Sequence, residues 1–155
     1  MISPELLHRY SFFNGLTNDE YKTVAMLAEV QSLPEGTILF EEGQSADKFY
    51  ILTQGNIDLF MKAEEPNQPK SRKDFFVGEI NTGDIFGISA MLEPFIYTAT
   101  AKSAESVSFI EFNALMIREL MGQNCLFALN MTTQIARALY SRLNSSRIQL
   151  AAAWQ

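Results

Sequence analysis

The stretch Gly83-Asp84-Ile85-Phe86-Gly87-Ile88-Ser89-Ala90-Met91-Leu92 contains two glycines, and Tyr97-Thr98-Ala99-Thr100-Ala101 follows it closely. Glycine adopts positive φ without steric cost, so this spacing predicts a tight turn at each glycine. No residue between Asp84 and Glu93 carries a charge. The stretch therefore predicts two tight turns around an apolar and uncharged segment.

The segments on both sides of this stretch alternate apolar and polar residues, as short strands do. Gln54-Gly55 is a hairpin signal between two of them, and Ala63–Arg72 is predicted as a polar loop with two prolines. Several short, closely spaced strands favour an antiparallel β-barrel of the jelly-roll type. The predicted strands are Gln31–Leu33, Thr37–Phe40, Lys48–Thr53 and Asn56–Met61, and the segments Asp74–Ile80 and Thr98–Glu111 complete the β material.

Helical patterns occupy both ends of the chain. Ser3-Pro4-Glu5 and the capping box Thr17-Asn18-Asp19-Glu20 each begin a predicted helix. Asn113 caps a predicted short helix through Met121, which Gly122-Gln123-Asn124 breaks. We expect a single domain over residues 1–155, with N-terminal helices in 1–30, the barrel in 31–112 and C-terminal helices in 113–155.

The last predicted helix runs from about Cys125 to about Ala153 and has two distinct faces. Ala128, Met131 and Ile135 are expected to pack on the barrel. An opposite set repeats with heptad spacing, so we predict a homodimer through this seam. The alternative is that the whole helix packs on the chain's own barrel. The seam is Leu129, Thr132, Ala136, Leu139, Leu143, Ser146, Leu150 and Ala153, of which Leu129, Ala136, Leu139, Leu143 and Leu150 are the predicted dimer contacts.

Charge and composition exclude several classes of function. The net charge of −6 opposes a nucleic-acid footprint, which needs clustered basic residues. The basic cluster Lys70, Arg72 and Lys73 is expected to be a solvated part of the polar loop. We therefore expect no direct nucleic-acid binding by this chain.

The chain has one cysteine, Cys125, and one histidine, His8. An intrachain disulfide and a zinc site of the usual type cannot be built from them, so we expect no cofactor and no metal. Neither a secretory signal nor an apolar run of about 20 residues occurs, so we expect no membrane association and a cytoplasmic location. A metal enzyme of the cupin type is disfavoured because His8 is alone.

The whole chain resembles the cyclic nucleotide-binding domain family. The stretch Gly83–Ala101, called the cassette below, resembles that family's phosphate-binding cassette, which reads Phe-Gly-Glu-(Leu/Ile)-Ala and then Arg-(Ala/Ser/Thr)-Ala-Thr. Gly43-x-x-Ala46-x-x-x-Tyr50-x-Leu52-x-x-Gly55 matches a second family motif. The long helix resembles the dimerisation helix of the bacterial catabolite activator. A helix-turn-helix follows that helix in the activator but not in this chain, which is either part of a longer regulator or a stand-alone sensor.

The resemblance implies that the cassette binds a phosphate through backbone N–H groups of Gly87, Ser89 and Ala90, with help from Thr98. The other candidate site residues are Phe86, Ile88, Tyr97 and Ala99. Ile88 stands where the family has the Glu that binds the ribose hydroxyl, and Tyr97 stands where the family has the phosphate-binding Arg. Two lost charged hydrogen bonds, at about 1.5–3 kcal/mol each, weaken binding roughly 100-fold to 10,000-fold.

Three further interpretations concern single residues. Tyr97 is either a core aromatic with a satisfied hydroxyl or part of a pocket wall. Lys102 is expected outside phosphate reach. Arg142, which aligns with a base-contacting position of the activator's helix, is expected as a solvated or interhelical charge, with contact to a pocket as the alternative.

The resemblance implies a non-enzymatic regulatory or ligand-sensing module with a degenerate cassette. A receptor that binds a cyclic nucleotide, or a less charged small molecule, by atypical contacts is the alternative.

Overall fold

A computed structural model describes the backbone of residues 1–65 and 68–154 and the side chains of residues 1–63 and 73–154. Helices stand at both ends of the chain, and the strands lie between them. The elements are α1 (Pro4–Leu7), a 3-10 turn (Ser11–Phe13), α2 (Asn18–Met26), β1 (Ala28–Leu33), β2 (Ile38–Phe40), β3 (Lys48–Gln54), β4 (Ile57–Glu65), β5 (Gln68–Ile80), β6 (Ile85–Phe86), a 3-10 helix (Ile88–Met91), β7 (Thr100–Ser103), β8 (Val107–Asn113), α3 (Ala114–Gln123) and α4 (Cys125–Ala153).

The strands form two four-stranded sheets, in the orders β1-β8-β3-β6 and β2-β7-β4-β5. Every named pairing is antiparallel. Sequence neighbours such as β7 and β8 lie in different sheets, as in a jelly roll. The predicted class, a mainly β jelly roll with flanking helices, is confirmed.

Strand β3 separates two regions of the core. Tyr50 points between the sheets, where its ring lies 5.8 Å from that of Phe40 on the other sheet. Its neighbour Phe49 points to the opposite face, because side chains alternate along a strand. There the Phe49 ring lies 4.8 Å from Phe112 and 5.9 Å from Phe12 of the N-terminal 3-10 turn. One face of this sheet thus lines the barrel interior, and the other supports the helices.

The predicted capping box is present, but the helical region ends earlier than expected. Thr17 Oγ1 accepts the N–H of Glu20, and Glu20 Oε1 accepts the N–H of Thr17. Helix α2 ends at Met26 and β1 begins at Ala28, so the predicted helical region 1–30 is too long. The apolar spacing of this segment is compatible with a helix, but pairing of Ala28–Leu33 with β8 extends the strand.

The structure also refines two predicted segments, the polar loop Ala63–Arg72 and the β segment Thr98–Glu111. Ala63–Arg72 is not a loop throughout, because β4 continues to Glu65 and β5 begins at Gln68. The side chains of Lys70 and Arg72 lie outside the described residues, whereas Lys73 is exposed. The predicted β segment Thr98–Glu111 contains two strands, β7 and β8, on different sheets.

The C-terminal helices begin where the sequence predicts. Asn113 Oδ1 accepts the N–H of Met116, and Asn124 Oδ1 accepts the N–H of Phe127. Gly122 does not break α3, which continues to Gln123. Met131 and Ile135 are buried and Ala128 is half-buried, so the predicted inner face of α4 is confirmed, although α4 packs chiefly on α3 and the 3-10 turn Ser11–Phe13. Across the described residues, helices capable of crossing a bilayer were not found.

Candidate functional site

The cassette begins with a turn that requires glycine. Gly87 has φ +71° and ψ +27°, and it precedes the 3-10 helix Ile88–Met91. A Cβ at this position would lie 3.0 Å from Cδ2 of Tyr50 and 3.3 Å from the carbonyl oxygen of Lys48. Both the left-handed conformation and the close approach exclude a larger side chain. The chain thus turns sharply from β6 into the cassette helix.

The backbone donors expected in the cassette are partly occupied. The N–H of Ala90 donates to the carbonyl of Gly87 at 3.1 Å, so this predicted donor is paired within the turn. Ser89 is half-buried, Thr98 is exposed and Ala99 is half-buried. The helix has four residues in the 3-10 form, which limits the dipole that it offers to an anion.

Tyr97 is buried in the core. Its side chain is 5% exposed, and its ring stacks on Phe40 with centroids 3.9 Å apart. Its hydroxyl donates to the carbonyl of Lys48 at 2.5 Å. The structure therefore agrees with the interpretation of Tyr97 as a core aromatic residue whose hydroxyl has a hydrogen-bond partner.

Aromatic side chains fill the barrel interior beside the cassette. We call Phe40, Tyr50, Phe86 and Tyr97 the aromatic cluster. Tyr50 lies 5.0 Å from Phe86 and 5.8 Å from Phe40, measured between ring centroids. Ile88 is 5% exposed and belongs to the same core. The residues in the slots of the family's Glu and Arg are therefore packed into this core.

The aromatic cluster carries no charge at neutral pH. Burial raises the pKa of the Tyr97 hydroxyl, and hydrogen bonds to it oppose this shift only in part. Burial also raises the pKa of Tyr50, with a further contribution from neighbouring Tyr97. Both phenols stay neutral because their pKa values rise from an ordinary value near 10. The cluster is buried and uncharged, so it places no cation beside the cassette.

The two cations considered from the sequence lie in different places. Lys102 is exposed on β7 between the inward-facing Ala101 and Ser103, so its alternate position directs it outward. Arg142 is not simply solvated, because its Nη2 donates to the carbonyl of Ile85 at 2.5 Å. The expectation of a solvated or interhelical charge was therefore wrong, since α4 runs directly over the edge strand β6.

One contact between the cassette and the C-terminal helices has no signal in the sequence. Arg118 of α3 donates to the carbonyl of Ala90 at 3.2 Å. Its guanidinium carbon also lies 3.8 Å from the ring centroid of Phe95. Both contacts join residues more than twenty positions apart, so local patterns could not predict them. They attach the end of the cassette helix to α3.

The predicted seam of α4 lies on the exposed side of the helix. The exposed fraction is 65% for Leu129 and 60% for Leu150, and Ala136 is exposed as well. Leu139 and Leu143 are 41% and 47% exposed. The seam therefore does not pack on the chain's own barrel, which was the alternative to a dimer.

Comparison with known proteins places this fold and cassette in one family. The family model described as "Cyclic nucleotide-binding domain" matches residues 30–124. A crystal structure of a protein from Geobacter metallireducens GS-15, described as a cyclic nucleotide-binding protein, is 31% identical with a TM-score of 0.80, covering 92% of this chain and 99% of that one.

Two more distant relatives extend the comparison. The CRP-like cAMP-activated global transcriptional regulator of Mycobacterium tuberculosis is 22% identical over 147 residues, which are 95% of this chain and 61% of the regulator. The regulatory subunit of a cAMP-independent protein kinase A from Trypanosoma cruzi, solved with guanosine, is 18% identical with a TM-score of 0.64. That similarity covers 76% of this chain and 40% of the subunit, and it shows the fold alone. With the family model matching 30–124 and the Geobacter structure matching nearly end to end, the chain belongs to the cyclic nucleotide-binding domain family.

Proposed function

We propose that this chain is a non-enzymatic regulatory module whose cassette does not hold cAMP or cGMP in the family's usual way. The observation that supports this most strongly is the position of Tyr97. In the slot of the phosphate-binding Arg, its ring stacks on Phe40 and its hydroxyl is bound to Lys48. A phosphate at this place would meet a neutral phenol that already has a partner.

The energetics favour an unoccupied cassette. Two charged hydrogen bonds of the family pattern are lost, which corresponds to about 3–6 kcal/mol of binding free energy. An unpaired phosphate against the buried Ile88 adds a desolvation cost. The paired N–H of Ala90 removes one of the backbone donors that remained.

Titration calorimetry of the folded chain with cAMP and cGMP tests this proposal. We expect no saturable heat at micromolar nucleotide, and binding with a micromolar or tighter Kd contradicts the proposal. Adenosine and guanosine serve as controls, because they separate contacts to the base from contacts to the phosphate. The titration uses the unaltered protein, so its result does not depend on the folding of a variant.

A second candidate is the effector domain of a Crp/Fnr-like transcription regulator that binds a nucleotide or another small molecule by atypical contacts. The alignment with the mycobacterial regulator along 95% of this chain favours it. The guanosine bound to a relative of the same fold supports ligands other than cyclic nucleotides. In the titration above, a saturable signal with guanosine but not with cAMP would favour this second candidate.

We further propose that the module acts as a homodimer joined by the seam of α4. The exposed leucines of the seam support this, since monomers rarely leave a long apolar stripe in water. Direct nucleic-acid binding is not part of the proposed role, because the net charge is −6. The role suits the cytoplasm, where the exposed Cys125 stays reduced.

A further inference from the structure

A cavity of about 470 Å³ lies between α4 and the outer face of the sheet that contains β3 and β6. Ile51 and Ile85 form part of its floor. Their strand neighbours Tyr50 and Phe86 belong to the aromatic cluster, and neighbouring residues of a strand point to opposite faces. The cavity and the cassette interior are thus on opposite sides of the same sheet.

The buried face of α4 changes character where it reaches this cavity. Its first turns bury Phe127, Met131 and Ile135, and α4 packs chiefly on α3 and the 3-10 turn Ser11–Phe13. At about 3.6 residues per turn, the same face continues through Ser141 and Ser145, which line the cavity. A helix that only packed on an apolar core would continue its apolar stripe. Ser141 and Ser145 are exposed, so this face becomes polar where α4 leaves the core and borders the cavity.

Arg142 brings a positive charge into this space. Its guanidinium has five N–H donors, and the carbonyl of Ile85 takes one of them. Within the part of the chain whose side chains are described, no carboxylate lies within 4.0 Å of it. Burial lowers the pKa of Arg142, and nearby Asp84 opposes this shift. A partly desolvated guanidinium without a close counterion is costly, and an oxyanion is its best-matched partner.

We propose that this cavity binds a small hydroxyl-bearing organic anion, whose single carboxylate or phosphate group pairs with Arg142. The volume suits a metabolite rather than a simple ion. Ser141, Ser145 and Gln149 line the cavity and supply hydroxyl and amide groups for the ligand's hydroxyls. Glu79, Asp84 and Arg137 also line it, so two carboxylates stand against two guanidinium groups and disfavour ligands with several anionic groups.

This inference adds a ligand to the proposed regulatory function but does not depend on the state of the cassette. The two sites lie on opposite faces of the sheet, but cAMP is itself a hydroxyl-bearing anion. The cyclic nucleotide titration is therefore repeated with Arg142→Gln: binding that this variant retains belongs to the cassette, and binding that it loses belongs to the cavity. Binding of cAMP in the cassette would overturn the proposed function and leave the cavity site intact.

Thermal-shift assays and calorimetry with gluconate and glucose 6-phosphate test the cavity site. Gluconate represents the carboxylate source and glucose 6-phosphate the phosphate source. Glucose is a control that lacks the anionic group, and inorganic phosphate is a control that lacks the sugar hydroxyls. We expect at least one of the two anions to raise the melting temperature at about 10 mM or below. Glucose and inorganic phosphate are expected to bind at least tenfold more weakly.

Variants on α4 locate the binding. Arg142→Gln is expected to weaken binding by at least tenfold, whereas Arg147→Gln makes the same change at an exposed position of α4 and leaves it unchanged. Ser141→Leu places an apolar side chain at the cavity wall without removing a charge and is expected to weaken binding by at least tenfold. It also tests the site if Arg142→Gln does not fold. Absence of binding by both anions, or equal binding by wild type and the two cavity variants, overturns the proposal.

Discussion

The ring of Tyr97 lies parallel to that of Phe40, with centroids 3.9 Å apart and an interplanar angle of 13°. This pair joins the cassette to β2 across the barrel interior. In this family the same slot holds the cation of the ligand site, as the resemblance implies. The chain therefore uses the position for packing, and its contribution is measurable as stability.

Replacing Tyr97 should separate its ring from its hydroxyl. Tyr97→Phe keeps the stack on Phe40 and loses the bond to Lys48, so we expect a loss of about 1 kcal/mol in the free energy of unfolding. Tyr97→Ala also removes the ring, and we expect a loss of about 3–5 kcal/mol. Urea denaturation measures both values. Equal losses in the two variants would show that the ring contributes little.

Gly87 should tolerate no side chain. Gly87→Ala places a Cβ 3.0 Å from the ring of Tyr50 at φ +71°, so we expect a loss of about 1–3 kcal/mol. Gly122→Ala is the matched control, because a Cβ there meets nothing within 4 Å inside helix α3. We expect the control to gain about 0.5–1 kcal/mol. A neutral Gly87→Ala would contradict the turn geometry described above.

The aromatic cluster should make stability depend on alkaline pH. The pKa values of Tyr50 and Tyr97 are raised in the folded state, so folding favours their neutral forms. This contribution is complete below the unfolded pKa near 10 and is lost as pH rises above it. Denaturation curves measured from pH 8 to 11 should show the free energy of unfolding falling above pH 10. The double variant Tyr50→Phe/Tyr97→Phe should reduce this fall. Tyr140→Phe, at an exposed position, should leave the profile unchanged.

The seam of α4 should control assembly. Leu139→Asp places a carboxylate in the middle of the proposed dimer contact, where burial without a partner is costly. We expect sedimentation equilibrium to show a dimer for the wild type and a shift toward monomer for this variant. Asn144→Asp adds the same charge at an exposed position off the seam and should leave the dimer intact. A monomeric wild type at tens of micromolar would refute the dimer.

Local signals were reliable where neighbouring residues determine the structure. The capping residues Thr17 and Asn113 bond to amides within their own first turn, so short motifs predict them. Segment ends were less reliable. Pairing with the distant strand β8 moved the start of β1 to Ala28. Pairing between β4 and β5 extended their hairpin into the predicted loop.

The missing Glu and Arg of the cassette are visible in the order of residues alone, because Ile88 and Tyr97 stand in a recognisable frame of glycines. Which contacts Tyr97 makes depends on β2 and β3, which are folded against it from about 50 residues away. The same holds for Arg142, whose environment was misjudged because nothing near it in the chain marks the edge of β6. Amino-acid order specifies turns, caps and periodicity through short-range sterics and hydrogen bonds, whereas burial and pairing arise only when distant segments pack together.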